Sequence, residues 1–247
     1  MKKFCRFGFL AGLLLGLGCM AGSVRAADLF SYNFEAAGAA GDVKIPTGPW
    51  QMGSEVFTSS GNYIGGYYPA MTFGPNAIVT GESGASQGTY VGKIWPDYEY
   101  APNWQNNQFQ STLLFVNRVL SASDITESRI EMTFDAKLQD DIGAASSSYG
   151  FLKLFSPDYS QLWAQQTVSI TGNTWTTRIV GMDITANDSG LIGANLQWGV
   201  AASAQNYSAN GLFVDNFSVA TVPEPSSFVL MGLGAAGLVA SRSRRRA

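Results

Sequence analysis

The chain has 247 residues, a formal net charge of −3, no histidine and two cysteines. Without histidine there is neither a Ser–His triad nor the commonest zinc ligand, which excludes the hydrolases built on them. The charge is unevenly spread: between Asp28 and Ala220 stand seven basic and seventeen acidic residues, a net −10 that repels nucleic-acid phosphates.

The first element is a targeting segment. Lys2, Lys3 and Arg6 precede a mostly apolar run over residues 7–20, and Ser23-Val24-Arg25-Ala26-Ala27 offers the small residues that a signal peptidase reads. This pattern predicts a secretory signal peptide over residues 1–26, cut after Ala26. Cys5 and Cys19 both fall within it. The exported part therefore has no disulfide and must stand on its apolar core, for which about 190 residues suffice.

From residue 27 to 220 the chain reads as one all-β domain. Residues 129–138 alternate cleanly: Ile130, Met132, Phe134, Ala136 and Leu138 point one way, Glu131, Thr133, Asp135 and Lys137 the other. That is a strand with one wet face. Further strands are expected at 28–35, 88–95, 108–116, 149–156, 162–170, 174–184, 195–202 and 211–219, with turn residues between them. A helical turn is expected at 121–127, and residues 36–85 are Gly-rich and irregular. Many short strands rich in aromatic and β-branched residues predict a single antiparallel β-sandwich of jelly-roll type. Residues 220–222 read as a linker. Trp50, Trp163, Trp175 and Trp198 lie in or beside strand patterns, where burial is expected.

The last element, residues 221–247, is another tail. Pro223-Glu224-Pro225 is followed by an uncharged apolar run over 226–240 and then by Arg242, Arg244, Arg245 and Arg246. The run is shorter than the roughly 20 residues of a full span. With its basic flank it predicts a short transmembrane helix whose arginines stay cytoplasmic. The tripeptide, apolar run and basic end, in that order, resemble the PEP-CTERM sorting signal. The resemblance implies a substrate of an exosortase, a membrane transpeptidase that removes such tails, in a Gram-negative bacterium that makes exopolysaccharide. It implies transient anchoring in the inner membrane, then release to the cell surface or extracellular matrix.

Two features of the domain bear on ligands. Residues 95–104 hold Trp95, Tyr98, Tyr100 and Trp104, with Asp97 and Glu99 between and prolines at 96 and 102. Prolines there make a loop. Aromatic faces stack on sugar C–H groups and carboxylates take sugar hydroxyls, so these four aromatics are the candidate glycan contacts. Second, an opening strand that ends near a glutamate and a closing strand that carries an aspartate resemble the galactose-binding-like jelly rolls of carbohydrate-binding modules. That resemblance implies a structural calcium held by Glu35 and Asp215 with backbone carbonyls.

The expected function is that of a non-enzymatic surface or matrix protein associated with exopolysaccharide and binding glycan. The alternative is a jelly-roll polysaccharide hydrolase or lyase, for which no spacing among the seventeen acids selects a catalytic pair.

Overall fold

The computed structural model describes residues 27–37, 48–67, 76–96, 109–143, 146–205 and 208–222. The signal peptide, the helix expected at 226–240 and the sorting residues from Pro223 onward lie outside them, as do Tyr98, Tyr100 and Trp104. Among the described residues no helix is long and apolar enough to cross a membrane. The strands form one unit, Asp28–Glu224.

The chain forms the expected antiparallel β-sandwich. Its strands are β1 (Ala27–Tyr32), β2 (Gln51–Phe57), β3 (Tyr63–Tyr67), β4 (Ala77–Val79), β5 (Val91–Ile94) and β6 (Phe109–Val119). β7 (Arg129–Leu138), β8 (Ser146–Phe155), β9 (Leu162–Ile170), β10 (Thr176–Asp183), β11 (Asn195–Gln205) and β12 (Leu212–Val222) follow. One sheet runs β10-β7-β12-β5-β4, with β1 also on β12; the other runs β3-β2-β6-β11-β8-β9. We call them the first and second sheets. The helical turn expected near residue 121 is a short 3-10 turn, Ala122–Ile125. Its buried Asp124 accepts from the Ser121 backbone N–H and pairs with Arg118 at 2.7 Å, and those bonds hold its carboxyl below the ordinary range.

The inner faces of both sheets meet in one core. Phe217 of β12 is its hub: its ring lies 4.7 Å from Trp50, 5.5 Å from Phe134 and 6.5 Å from Phe34, all buried. Trp198 of β11 is buried against Phe30 at 5.3 Å. Edge-to-face and offset contacts of this kind add to simple burial. Three expectations fail. Residues 36–85, expected to be irregular, hold β2, β3 and β4. The linker expected at 220–222 is the end of β12, where Thr221 pairs with Ile130 and is fully buried. Trp163 is 42% exposed: Ala164, Val168 and Ile170 face the core, so alternation along β9 sets Trp163 on the outer face, and the register shift at Leu154/Phe155 leaves Leu162 beside it.

Candidate functional site

The structure brings Glu35 and Asp215 together although 180 residues of sequence separate them. β12 carries Asp215 on the outer face of the first sheet, directly opposite Asp135 of β7. Just beyond, Asn216 adopts a positive φ of 52° and the register shifts before Ser218, a bulge that turns Phe217 into the core. Asp215 is fully buried; its Oδ1 accepts from the Phe34 N–H at 3.3 Å, and its Oδ2 has no partner. Glu35 Oε1 accepts from the N–H groups of Thr89 and Tyr90 at 2.5 and 2.6 Å. Burial, joined by the charges of Glu35 and Asp135, pushes the Asp215 carboxyl up to about 6.

Asp135, by contrast, is satisfied. It accepts from Gln87 Nε2 at 2.8 Å, Thr177 Oγ1 at 2.6 Å and Asn216 Nδ2 at 2.9 Å. Among the described residues no group of three or more Asp, Glu, Cys or His is placed to hold a metal ion. What the site offers a hard cation is two carboxylates, one with a buried and orphaned oxygen. Carbonyl oxygens must supply the remainder of a six- to eight-fold shell. The residues present fit calcium on those terms.

Trp95 is the one described member of the candidate aromatic loop. Its backbone N–H donates to Asn76 Oδ1 at 2.6 Å, and its ring lies 5.4 Å from Lys93 Nζ. A Cβ at Gly211 would stand 3.0 Å from the indole, so the ring rests on bare backbone there. Trp95 is half-buried over the outer face of the first sheet.

A third region was not foreseen from sequence: the outer face of the second sheet. Leu113, Phe115, Phe151 and Ala201 form a buried apolar cluster separate from the main core, with Tyr149 packed against it. At its side is a cleft of about 190 Å³ lined by Gly53, Glu55, Tyr63, Leu113, Phe115 and Gln197. Tyr63 is 62% exposed and its hydroxyl lies over Gly66, where a Cβ would approach to 2.9 Å.

This face is concave, as one ion pair shows. Lys153 Nζ of β8 lies 3.5 Å from Glu55 Oε1 of β2. Those strands are three spacings apart, and the register Glu55–Ser111–Ser203–Ser147 leaves Lys153 six residues further along β8. In a flat sheet their Cα atoms would be about 24 Å apart, beyond the reach of the two side chains. The sheet therefore curls toward solvent and the pair spans the hollow. Lys153 also sits 4.9 Å from the Phe151 ring centroid. Ser111 and Ser203 share a hydrogen bond of 2.6 Å, and burial raises the pKa of the Tyr149 hydroxyl beside them. An amide ladder crosses the rim: Gln197 Nε2 donates to Asn117 Oδ1 at 3.1 Å, and Asn117 Nδ2 to Gln51 Oε1 at 3.3 Å. An apolar floor with paired charges and a rim of amides is suited to an uncharged, hydroxyl-rich ligand.

The signal for this face was present in the sequence. Leu113 to Val116 is an unbroken apolar run, and in β8 Tyr149, Phe151 and Phe155 alternate with Leu152 and Leu154. Such strands bury both faces.

Residues 221–246 match the PEP-CTERM protein-sorting motif. A sorting signal of this kind implies an exported protein processed by an exosortase. No curated protein is similar to the chain in sequence. Among solved structures, the chain is similar to carbohydrate-binding modules described as of the beta-sandwich super family, at 12% identity, over 73% of this chain and 63% of that one, with a TM-score of 0.42. It is similar to the CBM22-1 xylan-binding domain from Paenibacillus barcinonensis, at 11% identity over 80% and 96%, with a TM-score of 0.40. It is also similar to a Stig cyclase from Fischerella sp. TAU, at 15% identity over 81% and 99%, with a TM-score of 0.40.

Proposed function

We propose that this protein is a non-catalytic glycan-binding module that associates with exopolysaccharide at the cell surface or in the extracellular matrix, after an exosortase removes its tail. On this reading residues 1–26 are the signal peptide, the sandwich is the working module, and the C-terminal segment anchors it in the inner membrane until processing. The observation that carries the reading is the curled outer face of the second sheet, on a chain that carries a sorting signal. Leu113 and Phe115 form a closed apolar floor beneath it, the 62%-exposed Tyr63 ring offers a face to sugar C–H groups, and Glu55, Gln197 and the Tyr63 hydroxyl supply groups able to bond sugar hydroxyls. Trp95, Tyr98, Tyr100 and Trp104 are proposed as further contacts, acting from a separate loop.

Calcium is proposed as a structural ion at Glu35 and Asp215. Bound, it would supply positive charge to two neighbouring carboxylates. Without it, Asp215 keeps a buried charge with one unpartnered oxygen. The chain's own residues prepare the site: alternation after the core residues Leu212 and Val214 sets Asp215 on the outer face, and the Thr89 and Tyr90 amides fix Glu35.

The test is calorimetric binding of the processed protein to intact exopolysaccharide from the producing bacterium, together with Glu55→Gln and Tyr63→Ala variants. The expected result is binding that falls at least tenfold in each variant, with no release of reducing sugar. Undiminished binding in both variants, or reducing-sugar release, would overturn the proposal.

A further inference from the structure

The β8–β9 hairpin ends in a group of apolar side chains that face solvent. Tyr159 is 47% exposed, Leu162 50% and Trp163 42%. Val119 of β6, 63% exposed, lies in the same cross-strand row, since Val119 pairs with Asn195 and Asn195 with Phe155. Phe155 in turn opposes Leu162. All of this is on the outer face of the second sheet, the face that holds the cleft.

The hairpin tip is built to hold Tyr159 outward. Tyr159 has a φ of 58°, an uncommon conformation for a residue with a side chain, and its ring lies 5.6 Å from Phe155. Asp158 Oδ1 accepts from Ser156 Oγ at 2.6 Å, the Ser160 N–H at 3.1 Å and Ser160 Oγ at 2.8 Å. The Gln161 N–H closes the ring of bonds on Ser156 Oγ at 3.0 Å. The exposed rings thus stand on a rigid turn.

Between the tip and the cleft floor lies one more cross-strand row: Asn117, Gln197, Lys153 and Gln165. Lys153 is engaged by Glu55, so the row offers uncharged amides with hydroxyls and amides around it. From Gln197, which lines the cleft, to Asn195, which opposes Phe155 at the tip, is two residues of β11, about 7 Å. Among its described residues, a face banded as apolar floor, amide row and aromatic end has no cluster of like charges for an anionic or cationic partner. It matches a chain of neutral pyranose rings, whose C–H faces and hydroxyls alternate along its length.

We infer that the hairpin tip, through Tyr159 and Trp163, is a second sugar-stacking platform continuous with the cleft, so that the protein recognises an extended neutral polysaccharide and not a short oligosaccharide or chain end. The inference rests on the glycan-binding reading of the cleft. The platform adds contacts only to chains long enough to cross the amide row, so its contribution appears as chain-length dependence.

The experiment compares intact neutral exopolysaccharide with short oligomers cut from it, on the processed wild-type protein, Tyr159→Ala/Trp163→Ala and Glu55→Gln. Thermal melts verify that each variant is folded. The expected result is that wild type binds polymer at least tenfold more tightly than oligomer. The double variant then loses that advantage and keeps oligomer affinity, whereas Glu55→Gln weakens both. Trp163→Phe, which keeps a stacking face, restores most of the polymer affinity. Unchanged polymer affinity in the double variant would overturn the platform and leave the cleft reading intact. Binding of neither glycan by wild type overturns both. A double variant that alters sedimentation with protein concentration, but not polymer affinity, would identify the patch as a contact between copies and also overturn the inference.

Discussion

Replacing Asp215 with Asn should make the calcium-free protein more stable at neutral pH, although it removes a fully buried and hydrogen-bonded residue. An ordinary aspartate titrates at 3.8, and here burial and the two neighbouring carboxylates raise it to about 6. A carboxyl raised in the folded state binds its proton more tightly there than in the unfolded chain. Its contribution to stability is complete below pH 3.8 and is lost as pH climbs through 6. Two pH units at 1.36 kcal/mol each put the loss at about 3 kcal/mol by pH 8, as an upper figure. Asn keeps Oδ1 for the Phe34 N–H, places an amide N–H₂ where the orphaned oxygen was, and removes the charge that Glu35 and Asp135 repel. For a domain of this size each kcal/mol moves the melting temperature by about 2–4 °C, so the variant should melt about 6–12 °C above wild type at pH 8 in chelator. The assay is differential scanning calorimetry from pH 4 to 8, with chelator and with excess calcium. Wild type should lose stability between pH 4 and 7 in chelator and regain it with calcium; the variant should do neither. A variant that melts lower than wild type in chelator and keeps the same pH slope would refute the reasoning.

Two further outcomes follow from the packing. Phe217→Ala empties the hub between Trp50, Phe34 and Phe134, and should cost about 3–5 kcal/mol in a urea titration with an unchanged slope. Gly150→Ala sets a methyl group into the ring of Phe134 and should cost about 1–3 kcal/mol, read in the same titration.

The parts of this molecule that were legible in its sequence are those where one side of a strand meets water. β7 and β9 have the bounds read from sequence, and in β7 polar and apolar residues alternate without a break. β2, β3 and β4 were not visible, because Gly53, Gly65 and Gly66 interrupt the pattern and their strands are fixed by pairing with each other and with longer neighbours. Trp163 was misread because its bulk suggested burial, whereas the alternation through Ala164, Val168 and Ile170 sets it on the outer face. Glu35 and Asp215 came from likeness to a family pattern; no spacing in the chain links them. The ion pair of Glu55 and Lys153 had no local signal of any kind, since it depends on how far the sheet curls.

β12 is the last of the described strands in sequence and lies in the interior of its sheet, bonded to β7 on one side and β5 on the other, with β1 also pairing to it. Its final residues, Thr221 and Val222, begin the matched sorting motif. The sandwich therefore cannot be completed while the segment next to the tail is still on the wrong side of the membrane. The residues that finish the fold and those that begin the sorting motif are therefore the same short stretch of chain.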